Sequence, residues 1–197
     1  MNAAPGNIVP LSIDLSALVR RSVASLYSHL VTRPMGQALR LGIENQLAEL
    51  GEFCVSILDF TQVVVLDYSC ADEAVAKLIL RYQRVDRPAE VFFMARGVAE
   101  QHIEPIEAVL TRHELALVAD VVGSGYELLG PASAQERATW HTLQGMGYAN
   151  AGEIAARTQC TEPAARSALD ALASRRAVVR HGELQNYFAL SALLSKA

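Results

Sequence analysis

Three cysteines, one tryptophan and a 6% share of aromatics are what this chain of 197 residues has little of. Cys54, Cys70 and Cys160 are odd in number, widely spaced and without a CxxC pair. That pattern excludes a disulfide framework and a thiolate zinc site, and fits free thiols in a reducing cytoplasm. No apolar run approaches the roughly 20 residues a membrane span needs. The Met-Asn-Ala-Ala-Pro start has neither the basic region nor the apolar core of an export signal. A cytoplasmic location away from the membrane is the resulting expectation. Also missing are a Gly-rich phosphate loop, an HxxxH pair and a nucleophile-base pair, because His29, His102, His113, His141 and His181 are scattered. These absences argue against an enzyme and against a bound cofactor.

What is present is apolar bulk. At 51% hydrophobic, the chain can bury a substantial core, as one large domain or two small ones. Residues 1 to 130 carry ten Lys/Arg against sixteen Asp/Glu, whereas residues 131 to 197 carry seven against five. An acidic body is thus followed by a mildly basic tail. The breakers and small polar residues of GPASAQE mark the division, which predicts domains over 1–130 and 131–197.

The body reads as alternating helices and strands. Leu15, Leu18, Val19, Val23, Leu26, Tyr27 and Leu30 share one helical face, although Ser12 to Ser16 and Ser25 to Val31 also read as short strands. Thr32 as N-cap and Pro34 in the first turn open a helix in which Met35, Leu39, Ile43, Leu47 and Leu50 repeat until Gly51. Phe53 to Phe60 is a nearly continuous apolar run, the mark of a strand covered on both faces, and Val63 to Leu66 is a second extended piece. Ala71, Ala74, Val75, Leu78, Ile79 and Tyr82 define an amphipathic helix. Strands over Glu90 to Ala95 and Leu115 to Val122, with a helix from about Val98 to Arg112 between them, complete an α/β pattern of a sheet with packed helices.

Within it, LDFTQVVVLDYSCADE resembles the STAS segment of anti-sigma antagonists, in which a strand ends in an Asp and a second Asp leads into the next helix. Thr32-Arg33 and Ala71-Asp72-Glu73 resemble more particularly a bacterial STAS-like family of unassigned function. The match covers roughly residues 25 to 122. It implies a STAS-like sheet, a protein partner and a regulatory turn at Asp59, Asp67, Tyr68, Ser69 and Asp72. One departure stands out: the family's phosphoacceptor Ser directly follows the second Asp, but here Tyr68 follows Asp67, Ser69 comes one place later, and no Gly follows. Ser69-Cys70-Ala71-Asp72 also matches a capping box, which predicts Ser69 as the N-cap. Grouped as a magnesium site, Asp59, Asp67, Asp72 and Glu73 lack a phosphate loop and a partnering Lys, and ordinary caps account for them. No metal is expected.

The tail resembles a winged helix-turn-helix. A first helix carries Ala138, Trp140 and Leu143, a short second one spans Ala151 to Thr158, and Thr161-Glu162-Pro163 opens a third with Ala165, Ala168, Leu169 and Leu172 inward. Two strands around His181-Gly182-Glu183 form the wing. The resemblance implies a transcription regulator with DNA as the favoured partner, and a homodimer wherever the site is two-fold. Candidate DNA contacts are Thr161, Glu162, Arg166, Ser167 and Asp170 on the third helix, Arg175 and Arg176 beyond it, and Arg180, His181 and Asn186 on the wing. The alternative is a protein adaptor that does not bind DNA, in the manner of an anti-sigma antagonist, since winged helices also dock proteins.

Overall fold

The computed structural model describes residues 20–49, 53–181 and 186–194. The pieces expected before Arg20, the helix end at Gly51 and the wing tip at Gly182-Glu183 lie outside the described residues. In chain order the body comprises β1 (Arg20–Ser25), β2 (His29–Leu30), α1 (Arg33–Ala48), β3 (Phe53–Asp59) and β4 (Val65–Leu66). Helix α2 follows in three consecutive parts, Tyr68–Ala71, a π-helical Asp72–Ala76 and Lys77–Gln83, and leads to β5 (Glu90–Val98), α3 (Glu100–Arg112), β6 (Leu117–Val121) and β7 (Gly125–Leu129). The tail comprises α4 (Ala134–Met146), β8 (Tyr148–Ala149), α5 (Ala151–Thr158), α6 (Glu162–Ser174), β9 (Val178–His181) and β10 (Asn186–Ala189).

The fold is α/β. Five strands in the order β1-β3-β5-β6-β7 form the main sheet; the first four are parallel and β7 closes it antiparallel to β6. The helical reading of 15–30 fails over its described part. Arg20 to Ser25 pair residue by residue with Cys54 to Asp59, and this ladder against an apolar strand outweighs the 3.6-residue pattern. The short-strand alternative comes closer, since His29 and Leu30 pair with Val65 and Leu66.

Side chains along a strand point alternately to the two faces, and here each face has its own core. On β5, Val91, Phe93 and Ala95 join α1, α2 and α3 on one side, while Phe92 and Met94 join Trp140, Leu143 and Leu169 of the tail on the other. Strand β6 divides the same way, with Leu117 and Ala119 in the first core and Val118 in the second. The continuous apolar runs are thus explained: the tail covers the second face of the sheet.

Where the chain crosses to the tail, Gly130 has φ of 96°, and a Cβ there would lie 2.2 Å from the Leu115 carbonyl oxygen. Only glycine fits. Arg137 donates to the Leu128 and Gly130 carbonyls, both at 2.8 Å, and Arg175 donates to the Pro131 carbonyl and, at 2.7 Å, to Glu136. In the tail, β8-β10-β9 form an antiparallel sheet beside α4, α5 and α6. Strands β7 and β8 have no counterpart in the sequence reading.

Candidate functional site

The acidic turn is built at the carboxyl ends of β3 and β4, the side of a parallel sheet where binding sites collect. Asp59 ends β3. Its Oδ1 accepts from the Thr61 amide at 3.0 Å and the Thr61 hydroxyl at 2.7 Å, and its Oδ2 receives Arg96 at 2.5 Å. The Arg96 hydrogen bond is the main reason its carboxyl sits below the ordinary range.

The N-cap of α2 is Asp67, not Ser69. The Asp67 amide donates to the Leu30 carbonyl at 2.8 Å, which fixes Asp67 in an extended conformation just before the helix. Its Oδ1 then accepts from the amides of Ser69 at 2.7 Å and Cys70 at 3.2 Å, and from the Ser69 hydroxyl. The expected Ser69 capping box is therefore corrected: Asp67 stands two residues earlier and satisfies the first-turn donors itself. The Ser69 hydroxyl bond is the leading cause of a lowered Asp67 pKa. Tyr68 points elsewhere, donating to Glu104 of α3 at 2.7 Å, and that bond raises its pKa.

Asp72 is buried in the π segment rather than lying at the turn's surface. A π turn widens the helix and brings Asp72 and Glu73 inward against α1 and α3. Asp72 meets Arg33 at 3.1 Å and His113 at 2.8 Å; Glu73 meets Arg33 at 2.9 Å, Lys77 at 2.6 Å and Arg40 at 3.5 Å. Burial opposes ionisation of both acids, but the bonds to Asp72 from His113 and Arg33, and to Glu73 from Lys77 and Arg33, prevail and lower their pKa values. The ordinary-cap account of these two is thus replaced by a buried ion network. Cys70 beside them is buried and its thiol is pushed up to about 11, which makes it unreactive. Among the described residues no three His, Cys, Asp or Glu side chains are grouped to hold a metal ion.

Around this turn the surface is apolar. Tyr27 is 66% exposed and Val64 58%, and Val31, Val65 and Tyr68 are exposed as well. The amides of Val64 and Val65 both donate to the Ser28 carbonyl, and β2 pairs with β4, so the backbone brings the segments carrying Tyr27, Val31, Val64 and Val65 side by side. Sequence periodicity does not bring Val31, Val64 and Val65 together, because they lie on two segments that meet through backbone pairing.

The second site is the outer face of α6. Thr161 caps it, its hydroxyl accepting from the Ala164 amide at 3.4 Å; Ala165, Ala168, Leu169 and Leu172 are buried. Glu162, Pro163, Arg166, Ser167 and Asp170 line an open groove. Arg166 pairs with Glu162 at 2.7 Å, while Asp170 receives Arg180 at 3.3 Å and the Tyr187 hydroxyl at 2.6 Å. Asn186 and His181 face each other in the β9-β10 register, both partly exposed.

Arg175 and Arg176 are not on that face. Arg175 is tied to the crossing at Pro131 and Glu136. Arg176 donates to Glu90 at 2.8 Å and to the Val91 carbonyl at 3.0 Å, and lies 4.9 Å from the centre of the Phe92 ring, with its side chain 9% exposed. These two join the tail to the sheet. Their adjacency suggests surface cations, and no local signal reveals these partners, which lie 39 to 86 residues away. No helix among the described residues is long and apolar enough to cross a membrane. Neither protein-family models nor curated proteins yield a match to this chain.

Proposed function

We propose that the chain is a non-enzymatic regulatory protein in which a STAS-like body and a winged-helix tail form one binding body, with a protein partner engaged at the acidic turn. The observation that carries this reading is the exposed apolar surface of Tyr27, Val31, Val64, Val65 and Tyr68 around that turn. Exposed apolar side chains gathered near one turn favour an interaction site there. Asp67 and Glu104 lie at its border and the body is acidic, so a partner segment with apolar anchors flanked by Lys or Arg fits. The two turn acids are used in local bonds, and Asp72 and Glu73 in the ion network, which supports a binding role for this turn.

The test is a photo-crosslinking residue at position 64 or position 167 of the full chain in cells. The adaptor reading expects a discrete protein adduct at 64 that Val65→Asp eliminates without changing the melting temperature. Adducts to DNA at 167, with none to protein at 64, would replace it.

DNA binding by the α6 face is the second reading, favoured by the outward position of Arg166 and Arg180 beside the wing and of Arg157 on α5. The ion pairs on these surface arginines are worth only about 0.5 kcal/mol, so a phosphate competes with the acids. Three such contacts predict a slope of about −2.7 in log affinity against log salt, which is modest for a DNA reader. Arg166→Ala should then relax sequence preference, and Arg180→Ala should flatten the slope by about one unit. Wild-type binding that does not respond to salt would dismiss this reading.

A further inference from the structure

We propose that the body holds a small-molecule site, remote from the acidic turn, that takes an apolar α-amino acid. A cavity of about 390 Å³ lies between the C-terminal half of α1, α2 and the segment entering β5, within the range of sites for small ligands. Its apolar lining is Leu47, Ala48, Pro88 and Ala89. Its polar lining is Tyr82, Arg81, Glu44 and Asn45.

Tyr82 is the informative residue. It is 2% exposed, its ring packs edge-on to Phe93 at 5.4 Å, and its hydroxyl has no hydrogen-bond partner among the described residues. Buried tyrosines ordinarily spend that hydroxyl on a protein group. Here it lines the cavity instead. Burial raises the pKa of the phenol, with Glu44 reinforcing and Arg81 opposing, so it stays a neutral donor between one negative and one positive neighbour.

The charges on either side are held unequally. Arg81 has only long contacts with Asp86, 3.5 Å to its carbonyl and 3.8 Å to its carboxylate, and Arg84 holds that carboxylate more closely at 2.9 Å. Arg81 is therefore open to a ligand carboxylate, with the Tyr82 hydroxyl as a second donor. Glu44, on the other helix, gives one oxygen to Arg40 at 3.0 Å and presents its charge to a ligand ammonium. An α-amino acid carries both charges on one carbon, and its apolar side chain matches Leu47, Pro88 and Ala89. A ligand with one charge leaves the other wall unmatched, which is the basis of discrimination. The site stands independently of whether the output partner is protein or DNA.

The experiment is calorimetric titration of the full chain with L-leucine and L-phenylalanine, with hexanoate and hexylamine as single-charge controls. The amino acids should bind at least about tenfold more tightly than either control. Tyr82→Phe should weaken them by about tenfold, yet leave the ligand-free melting temperature unchanged, because the hydroxyl it removes faces the cavity rather than a protein partner. Arg81→Gln should weaken them similarly. The proposal is overturned by no binding at about 10 mM amino acid, by controls that bind equally, by binding that tolerates both substitutions, or by a Tyr82→Phe chain that melts lower without ligand.

Discussion

Truncating Arg176 distinguishes a side chain that holds the molecule together from one that waits for a phosphate. Its guanidinium makes two charge-assisted bonds, to Glu90 at 2.8 Å and to the Val91 carbonyl at 3.0 Å, and covers the Phe92 ring. Charge-assisted hydrogen bonds contribute roughly 1.5 to 3 kcal/mol each and a desolvated cation-π contact about 2. Burial also penalises this guanidinium, lowering its pKa, so the gross gain is not the net one. Glu90 is half exposed and rehydrates when its partner leaves. A loss of about 3 kcal/mol for Arg176→Ala, at the low end for breaking a buried pair, is the expectation. For a chain of this length that is about 6 to 12 °C in melting temperature. Alanine inherits the positive φ of 58° with a penalty similar to arginine's, so the backbone does not confound the comparison. Urea unfolding followed by Trp140 fluorescence and by circular dichroism should give coincident curves, since Trp140 sits in the core shared by sheet and tail. A cost below about 0.5 kcal/mol, the size of an ordinary surface change, together with lost DNA binding, would return Arg176 to the role its position after α6 suggested.

Two further expectations concern the acidic turn. Asp67→Ala should cost about 1 to 2 kcal/mol and Ser69→Ala about 0.5, because the cap belongs to Asp67 and Ser69 contributes only a hydroxyl bond to it; chemical denaturation with the reverse order would restore Ser69 as the cap. Asp59 and Asp67 both have folded pKa values below their unfolded ones, so their contribution is complete above the unfolded carboxylate range and is lost as pH falls through the folded values. Urea midpoints should stay level near neutrality and drop below about pH 4, less steeply in Asp59→Asn, and an identical drop in that variant would show that the Arg96 pair contributes nothing.

The parts of this fold legible in sequence are those whose signal is local. Thr32 and Thr161 both cap helices, and α5 runs from Ala151 to Thr158 as its composition indicates. The illegible parts depend on partners far along the chain. Asp67 and Ser69 are both good capping residues, and the bond from the Asp67 amide to Leu30, thirty-seven positions earlier, decides between them. Gly123, Ser124 and Gly125 look like a turn into a loop, yet β7 follows because β6 offers it an edge. Leu169 and Leu172 are recognisable as core residues, but nothing near them says that Phe92 and Met94 of the body share that core.

That shared core constrains how the two surfaces can influence each other. If the tail hung on a flexible linker, binding at the acidic turn could reposition α6 freely. Here the Gly130-Pro131 crossing is clamped by Arg137 and Arg175, and the tail buries side chains from β3, β5, β6 and β7. Densely packed interiors shift between discrete arrangements rather than bending continuously. A ligand moves such an equilibrium only by binding one arrangement better than the other. The turn and the α6 face therefore act, on the proposed reading, as two fixed ends of a bivalent scaffold. Occupation of one end raises the local concentration of whatever binds the other, which needs no hinge and no new contact.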